Sequence, residues 1–140
     1  PLEDFLTGPG TSVLGKGELL IEIQVPVPEH DNRGIYLKHG PRGTIDLAIV
    51  GVAVVSSFEI DGETCRDVKI ALGAVAPSPM RARKAEGVLR GKKIDETLIN
   101  KSAQLASDEV RPISDVRASA EYRREMVRVF TRQAIRGILA

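Results

Sequence analysis

The chain has 140 residues, enough for one ordinary domain that buries roughly two-thirds of the surface its unfolded form would expose. Its 20 basic and 19 acidic residues leave a formal net charge of +1, which excludes the strong positive field of a dedicated nucleic-acid binder. Trp is absent and aromatics make up 4% of the chain, so the core must come from Val, Ile, Leu and Ala; the single cysteine, Cys65, excludes an intrachain disulfide or a cysteine-based zinc site and points to a reducing cytoplasm.

The first residues lack the basic start and apolar run of a signal peptide, and no later stretch approaches the ~20 apolar residues of a membrane span, so a soluble domain is expected. The chain starts at Pro1 in mid-pattern, as a processed or excised piece would, or one set by a cloning boundary. Residues 1–17 are rich in Gly, Pro and small polar residues and read as a lead-in segment. Residues 18–25, Glu-Leu-Leu-Ile-Glu-Ile-Gln-Val, are dense in branched apolar residues and are stopped by Pro26 and Pro28, which predicts a strand.

A polar loop over 29–33 precedes a short strand at 34–38 and a turn at Gly40-Pro41-Arg42-Gly43. The apolar run over 45–60 suits a strand buried on both faces, and Asp61-Gly62 is a hairpin signal leading into a further strand over 64–74. Beyond it the period lengthens to between three and four. Ser78 and Pro79 are placed to open a first helix with Ala82, Ala85 and Leu89 facing inward and Gly91 ending it. Asp95 is placed to cap a second helix, with Leu98, Ser102, Leu105 and Ala106 on one face and Pro112 beyond its end. Ser119 caps a third, on which Tyr122, Met126, Val127, Phe130, Ala134 and Ile138 form a core stripe. Strands first and helices afterwards predict an α+β sandwich: a small antiparallel sheet of about three strands covered on one face by three C-terminal helices.

Few motifs carry chemistry. The string from Gly10 to Gly17 resembles a phosphate loop, but Gly17 replaces the metal-binding hydroxyl, no strand precedes it and β-rich sequence follows. His30 and His39 lack the spacing of a metal pair and read as surface residues; Cys65 reads as a half-buried strand thiol. Arg124, Arg128, Arg132 and Arg136 recur every four residues as a basic ridge whose ordinary role is a solvated or ion-paired face, while Arg123 lies off the ridge and is placed to meet a buried carboxylate. Lys38 and Asp46 flank the turn at the end of the sheet, where either an ion pair across the turn or a ligand contact would be placed.

Several strings, in order and spacing, resemble the C-terminal domain of the flavin-carrying medium subunit of molybdenum hydroxylases, the group of aerobic carbon monoxide dehydrogenase and xanthine dehydrogenase. They are Tyr36-Leu-Lys38, Asp46-Leu-Ala-Ile-Val-Gly-Val-Ala-Val54, Ile70-Ala-Leu-Gly-Ala-Val-Ala-Pro-Ser-Pro79, Arg81-Ala-Arg-Lys-Ala-Glu86 and Ser114-Asp-Val-Arg-Ala-Ser-Ala-Glu-Tyr-Arg123. Residues 1–25 resemble the end of the preceding FAD-binding domain, so the resemblance divides the chain into residues 1–28, the tail of that domain, and residues 29–140, the C-terminal α+β domain.

The resemblance implies a non-catalytic part of an oxidoreductase complex, with FAD receiving electrons from a molybdopterin centre in a large subunit through iron-sulfur clusters in a small one. The Gly-rich phosphate-binding strings of such subunits do not occur in this chain, so it implies only a wall against the isoalloxazine ring: Leu47, with Val68 or Lys69, and with Lys38 or Lys69 near the pyrimidine edge and Asp46 orienting Lys38. Residues 114–123 carry no obvious redox role and read as a loop and helix cap in which Tyr122 buries its ring, and the resemblance makes the arginine ridge a candidate docking face for a partner subunit. A stand-alone interaction or assembly module that kept the fold and lost the flavin is the alternative.

Overall fold

The computed structural model describes residues 1–27, 32–42 and 46–140. A one-turn helix α1 (Leu2–Phe5) leads into a two-stranded hairpin of β1 (Leu6–Gly8) and β2 (Thr11–Ser12). Residues 18–27, which follow the Gly10 to Gly17 string, are not helical, so no helix N-terminus stands there to face a phosphate. Residues 18–25 are a correction to the sequence reading: they belong to no strand, and Leu19, Ile21, Ile23, Val25 and Val27 are each 75–91% exposed. Their period-two pattern is that of a strand, but the described residues offer it no partner.

The main sheet is built on β3 (Arg33–His39), β4 (Val50–Phe58) and β5 (Thr64–Gly73), antiparallel and in that order, with two-residue strands β6 (Met80–Arg81) and β7 (Lys92–Lys93) both pairing with β5. The β4–β5 hairpin forms where Asp61-Gly62 places it. Asp61 accepts from the amides of Glu63 and Thr64 and from the Thr64 hydroxyl, which draws its carboxyl down to about 2.

Alternate residues of β4 and β5 (Val50, Val52, Val54 and Phe58; Val68, Ile70 and Leu72) face the helices and are buried. Each such side chain contributes about 1.5–3 kcal/mol relative to exposure. The opposite face carries mostly small residues, Gly34, Gly51, Ala53, Ala71 and Gly73, with Val55 44% exposed. The strand predicted as buried on both faces is therefore fully covered on one, because the C-terminal helices pack on the same side.

Helix α2 spans Arg83–Leu89, α3 spans Glu96–Glu109 and α4 spans Ala120–Leu139. Of these, α4 lies over β3 and β4, α2 over β5, and α3 packs against both helices. Ala82, Ala85 and Leu89 point inward as their spacing predicts. Gly91, at φ +72°, follows the end of α2 in the left-handed conformation that glycine adopts without strain. Asp95 and Ser119 cap α3 and α4 by accepting from Leu98 and Tyr122 amides. The start of α2 departs from expectation: Ser78 and Pro79 lie outside it, and the Glu109 carboxylate, at the end of α3, accepts from the amides of Lys84 and Ala85 instead. At the other end of α4, Arg33 donates to the Ile138 carbonyl and lies over the Phe58 ring. Gly137 allows this close approach of helix and strand, since a Cβ there would stand 2.8 Å from Ile35 Cδ1.

Two ionic devices hold the edges. Glu86, buried, accepts from the Ile70 amide at 2.9 Å and from Nε and Nη2 of Arg81 at 2.5 and 2.8 Å, joining α2, β5 and β6. Before α4, Asp115 accepts from the Arg117 side chain, the Arg117 and Ala118 amides and Arg123, and these bonds, Arg117 foremost, hold its carboxyl well below the usual carboxylate range.

Replacing Glu86 by Ala leaves the Ile70 amide and Arg81 without their acceptor, and the expected loss is about 3 kcal/mol by urea denaturation. Glu96→Ala, which breaks only the exposed pair with Arg136, should leave the midpoint almost unmoved. Asp115 gives a pH signature. A carboxyl whose pKa is lower in the folded state contributes stability above its unfolded value of about 3.9 and loses it as pH falls through the folded value. Stability measured from about pH 5 down to about pH 2 should fall less steeply for Asp115→Asn than for the parent chain.

Candidate functional site

Both ends of the β3–β4 connection and the end of β5 converge at one end of the sheet, because His39 pairs with Val50, and Lys38 with Gly51, which pairs in turn with Gly73. Leu47 sits three positions before β4 with its side chain 69% exposed. Asp46, immediately before it, is largely enclosed: its side chain is 10% exposed, Oδ1 accepts from the Leu47 amide at 2.8 Å, and Oδ2 is buried without a hydrogen bond. The Arg42 guanidinium approaches Oδ2 only to 3.6 Å and is itself 85% exposed, so the pair is a weak, screened one. The described partners of Asp46 are thus Leu47 and Arg42, not Lys38.

Lys38 projects on the open face of β3, with Tyr36 beside it, whose hydroxyl comes within 2.9 Å of where a Gly51 Cβ would stand. Glycine at 51 lets the Tyr36 ring lie flat on the sheet. The structure therefore gathers Lys38, Asp46 and Leu47 at one strand end.

The residues of β5 are placed differently. Val68 is fully buried on the helix-covered face, so its side chain is core and is not available to a ring on the open face. Lys69 is exposed on the open face, opposite Val55, which lies opposite Gly34. Lys38 is four residues further along β3, so the two lysines stand roughly 16 Å apart, from a rise of about 3.3 Å per residue and a strand spacing of about 4.8 Å. Lys38, not Lys69, stands at the strand end that carries Asp46 and Leu47. Lys69 instead lines a separate depression of about 490 Å³ with Val55, Ser57, Asp67, Pro26 and Val27.

The first turn of α4 reaches this same strand end. Arg123, 2% exposed, donates through Nη1 to the Ile49 carbonyl at 2.6 Å and the Ala74 carbonyl at 3.1 Å, and through Nη2 to Asp115 at 2.8 Å. Tyr122 shares a hydrogen bond of 3.0 Å with His39 Nε2 and lies, with Phe130, against the His39 ring. Two expectations are corrected here: the Tyr122 ring is 43% exposed rather than buried, because it reaches over the sheet end instead of into the core, and His39 is half-buried rather than a surface residue. His30 lies outside the described residues. The carboxylate that Arg123 meets is Asp115, a partner that spacing alone did not name.

Other candidates resolve into structure. Cys65 is fully buried on β5, 3.3 Å from Ser56 Oγ, and burial pushes its thiol up, so it is a core residue without thiolate character. On the arginine ridge Arg128 pairs with Glu125 of the same helix and Arg136 with Glu96 of α3, while Arg132 lowers the carboxyls of both glutamates, so much of the ridge is neutralised by neighbouring carboxylates.

FAD is the cofactor that the resemblance implies. The strand-end residues fit its isoalloxazine edge: a buried carboxylate oxygen without a donor suits a ring N–H, an adjacent lysine suits a ring carbonyl, and an exposed leucine suits the ring face. The described residues offer nothing comparable for its phosphates. No helix among the described residues is long and apolar enough to cross a membrane.

Residues 35–138 match the family model of the CO dehydrogenase flavoprotein C-terminal domain. The chain is 36% identical over 135 residues to the glyceraldehyde dehydrogenase medium chain of Sulfolobus acidocaldarius, covering 96% of this chain and 47% of that protein. It is 26% identical over 141 residues to a putative xanthine dehydrogenase FAD-binding subunit of Escherichia coli, covering 100% of this chain and 48% of that one. The reconstituted CO dehydrogenase from Oligotropha carboxidovorans matches with a TM-score of 0.88 at 34% identity, over 97% of this chain and 46% of that one. The chain thus spans about half the length of the curated relatives it matches. Matched over residues 35–138 by the family model and over nearly its whole length by these relatives, the chain belongs to the CO dehydrogenase flavoprotein C-terminal domain family, the C-terminal domain of the FAD-binding medium subunit of molybdenum hydroxylases.

Proposed function

We propose that this chain forms one wall of the flavin site in the medium subunit of a molybdenum-containing hydroxylase or dehydrogenase, enclosing FAD whose phosphates are held by upstream sequence. The observation that carries this reading is the buried, donorless Asp46 oxygen beside exposed Leu47, at the strand end that also presents Lys38. Leu47 covers the ring face and excludes water; Asp46 accepts from the ring N–H; Lys38 places positive charge at the pyrimidine edge, which favours an anionic reduced ring. When bound, FAD supplies the electron exchange that none of these side chains can perform. Lys69 belongs to a separate contact. Electrons reach the flavin from a molybdopterin centre in a large partner subunit through iron-sulfur clusters in a small one, in the reducing cytoplasm where a lone buried thiol is at home.

Residues 1–28 are assigned to the edge of the FAD-binding domain and residues 29–140 to the C-terminal domain. The assignment is supported by the family match beginning at residue 35 and by the exposed alternating row from Leu19 to Val27, which has the pattern of a strand whose partner sheet lies elsewhere. Identity to the glyceraldehyde dehydrogenase medium chain covers 96% of the chain, lead-in included, which favours this reading over a stand-alone module that has lost the flavin.

Titration of FAD into the 140 residues, followed by flavin fluorescence, should show no tight binding, whereas the chain extended upstream should bind and quench. In that extended protein Leu47→Ala should raise residual flavin fluorescence severalfold. Tight binding by the 140 residues alone, or no response to Leu47→Ala, overturns the wall assignment.

A further inference from the structure

Two adjacent residues, Tyr122 and Arg123, reach every strand of the three-stranded core of the sheet at one end. Tyr122 bonds His39, the last residue of β3. Arg123 bonds the carbonyl of Ile49, just before β4, and of Ala74, just after β5. The guanidinium does this as one rigid planar group with fixed donor directions, so it sets the separation of the two carbonyls as well as holding them. Its own position is fixed by Asp115, whose other lone pairs are taken by Arg117 and Ala118, and by the Ser119 cap of α4. Ala74 is the one non-glycine among the described residues with positive φ, at 63°, and its carbonyl is a ligand of this guanidinium. Such a conformation persists where surrounding bonds enforce it.

The chain end so held is the one bearing Leu47, two residues before Ile49, and Lys38, one residue before His39. Neither Tyr122 nor Arg123 is among the residues assigned to the flavin wall. We propose that Tyr122 and Arg123 are positioning residues for that wall: through His39, Ile49 and Ala74 they fix Lys38 and Leu47 against the isoalloxazine ring and thereby set the relative affinity of the site for reduced and oxidised flavin. This inference rests on the wall reading. It gives the Glu-Tyr-Arg string at the start of α4 a functional role beyond capping, and it makes α4 the element through which any contact on the helical face is felt at the ring.

The test uses the flavin-loaded complex with Tyr122→Phe, which removes one hydroxyl, and Arg123→Lys, which keeps the charge but lacks the planar fork that reaches the two carbonyls and Asp115 together. Glu109→Ala, which uncaps α2 at a distance from the sheet end, serves as a stability control, and Leu47→Ala as a wall control. Arg123→Lys should change the reduced-to-oxidised affinity ratio about tenfold, which is about 30 mV for a two-electron couple, with Tyr122→Phe shifting it in the same sense and less. In the 140-residue chain, hydrogen exchange at the Ile49 amide, which donates to His39, should accelerate at least about tenfold more in Arg123→Lys than in Glu109→Ala at equal loss of melting temperature. If both variants lower the melting temperature as Glu109→Ala does and leave the flavin couple unmoved while Leu47→Ala moves it, the positioning role is overturned and the wall stands. If Leu47→Ala is silent as well, both fall.

Discussion

Enclosing a guanidinium away from water costs several kcal/mol unless its donors find acceptors; the Nε of Arg123 is buried without one, so the helix that carries it can dock only where two strand-end carbonyls and a carboxylate meet the two Nη groups. That requirement orients α4. Apolar contacts alone would let a helix slide along a sheet of Val and Ile, since burial is non-directional; the fixed fork of Arg123 at one end and the Arg33 contact with Ile138 at the other leave a single axial position. Gly137 then sets how closely the helix lies against β3. With α4 placed, α3 packs against it, and α2 fills the remaining width over β5.

All this cover lies on one side of the sheet. The other side combines small residues, a flat tyrosine and an extended apolar segment with no partner among the described residues, an arrangement that suits half of a larger unit better than a finished one.

What could be read from the sequence was what local chemistry decides. Asp95 and Ser119 cap helices because their own side chains reach amides three residues on, and Asp61-Gly62 turns the chain by bonds within the turn. The inward positions of α2 followed from period, whereas on α3 Leu98 and Leu105 are half-buried and Ile99 and Ala103 take buried places beside Ser102 and Ala106. The misreadings share a non-local cause. The start of α2 depends on Glu109, more than 20 residues away, which no local pattern around Ser78 announces. Residues 18–25 carry a true strand pattern, but pairing is a property of two segments. At the candidate site, Lys38 and Lys69 looked equivalent as cations near strands, and only the register of β3, β4 and β5 separates them; Val68 and Lys69 looked interchangeable until the pleat assigned one to the core. Arg123 was singled out for being off the ridge, yet its carbonyl partners are 49 and 74 positions away.

The two ends of the sheet differ in how they are held. The strand-end cluster is cross-linked by bonds from α4, whereas the β4–β5 turn at the far end is tied by Asp61 to its own neighbours, with Ile60 fully exposed at its tip. Extra residues inserted at that tip would have only solvent to fill and a modest loop-closure cost to meet, while a single residue inserted near Ile49 would break contacts from three elements at once. Length variation among relatives of this domain should therefore collect at the hairpin tip, and a reporter or affinity module grafted there would leave the end held by Arg123 undisturbed.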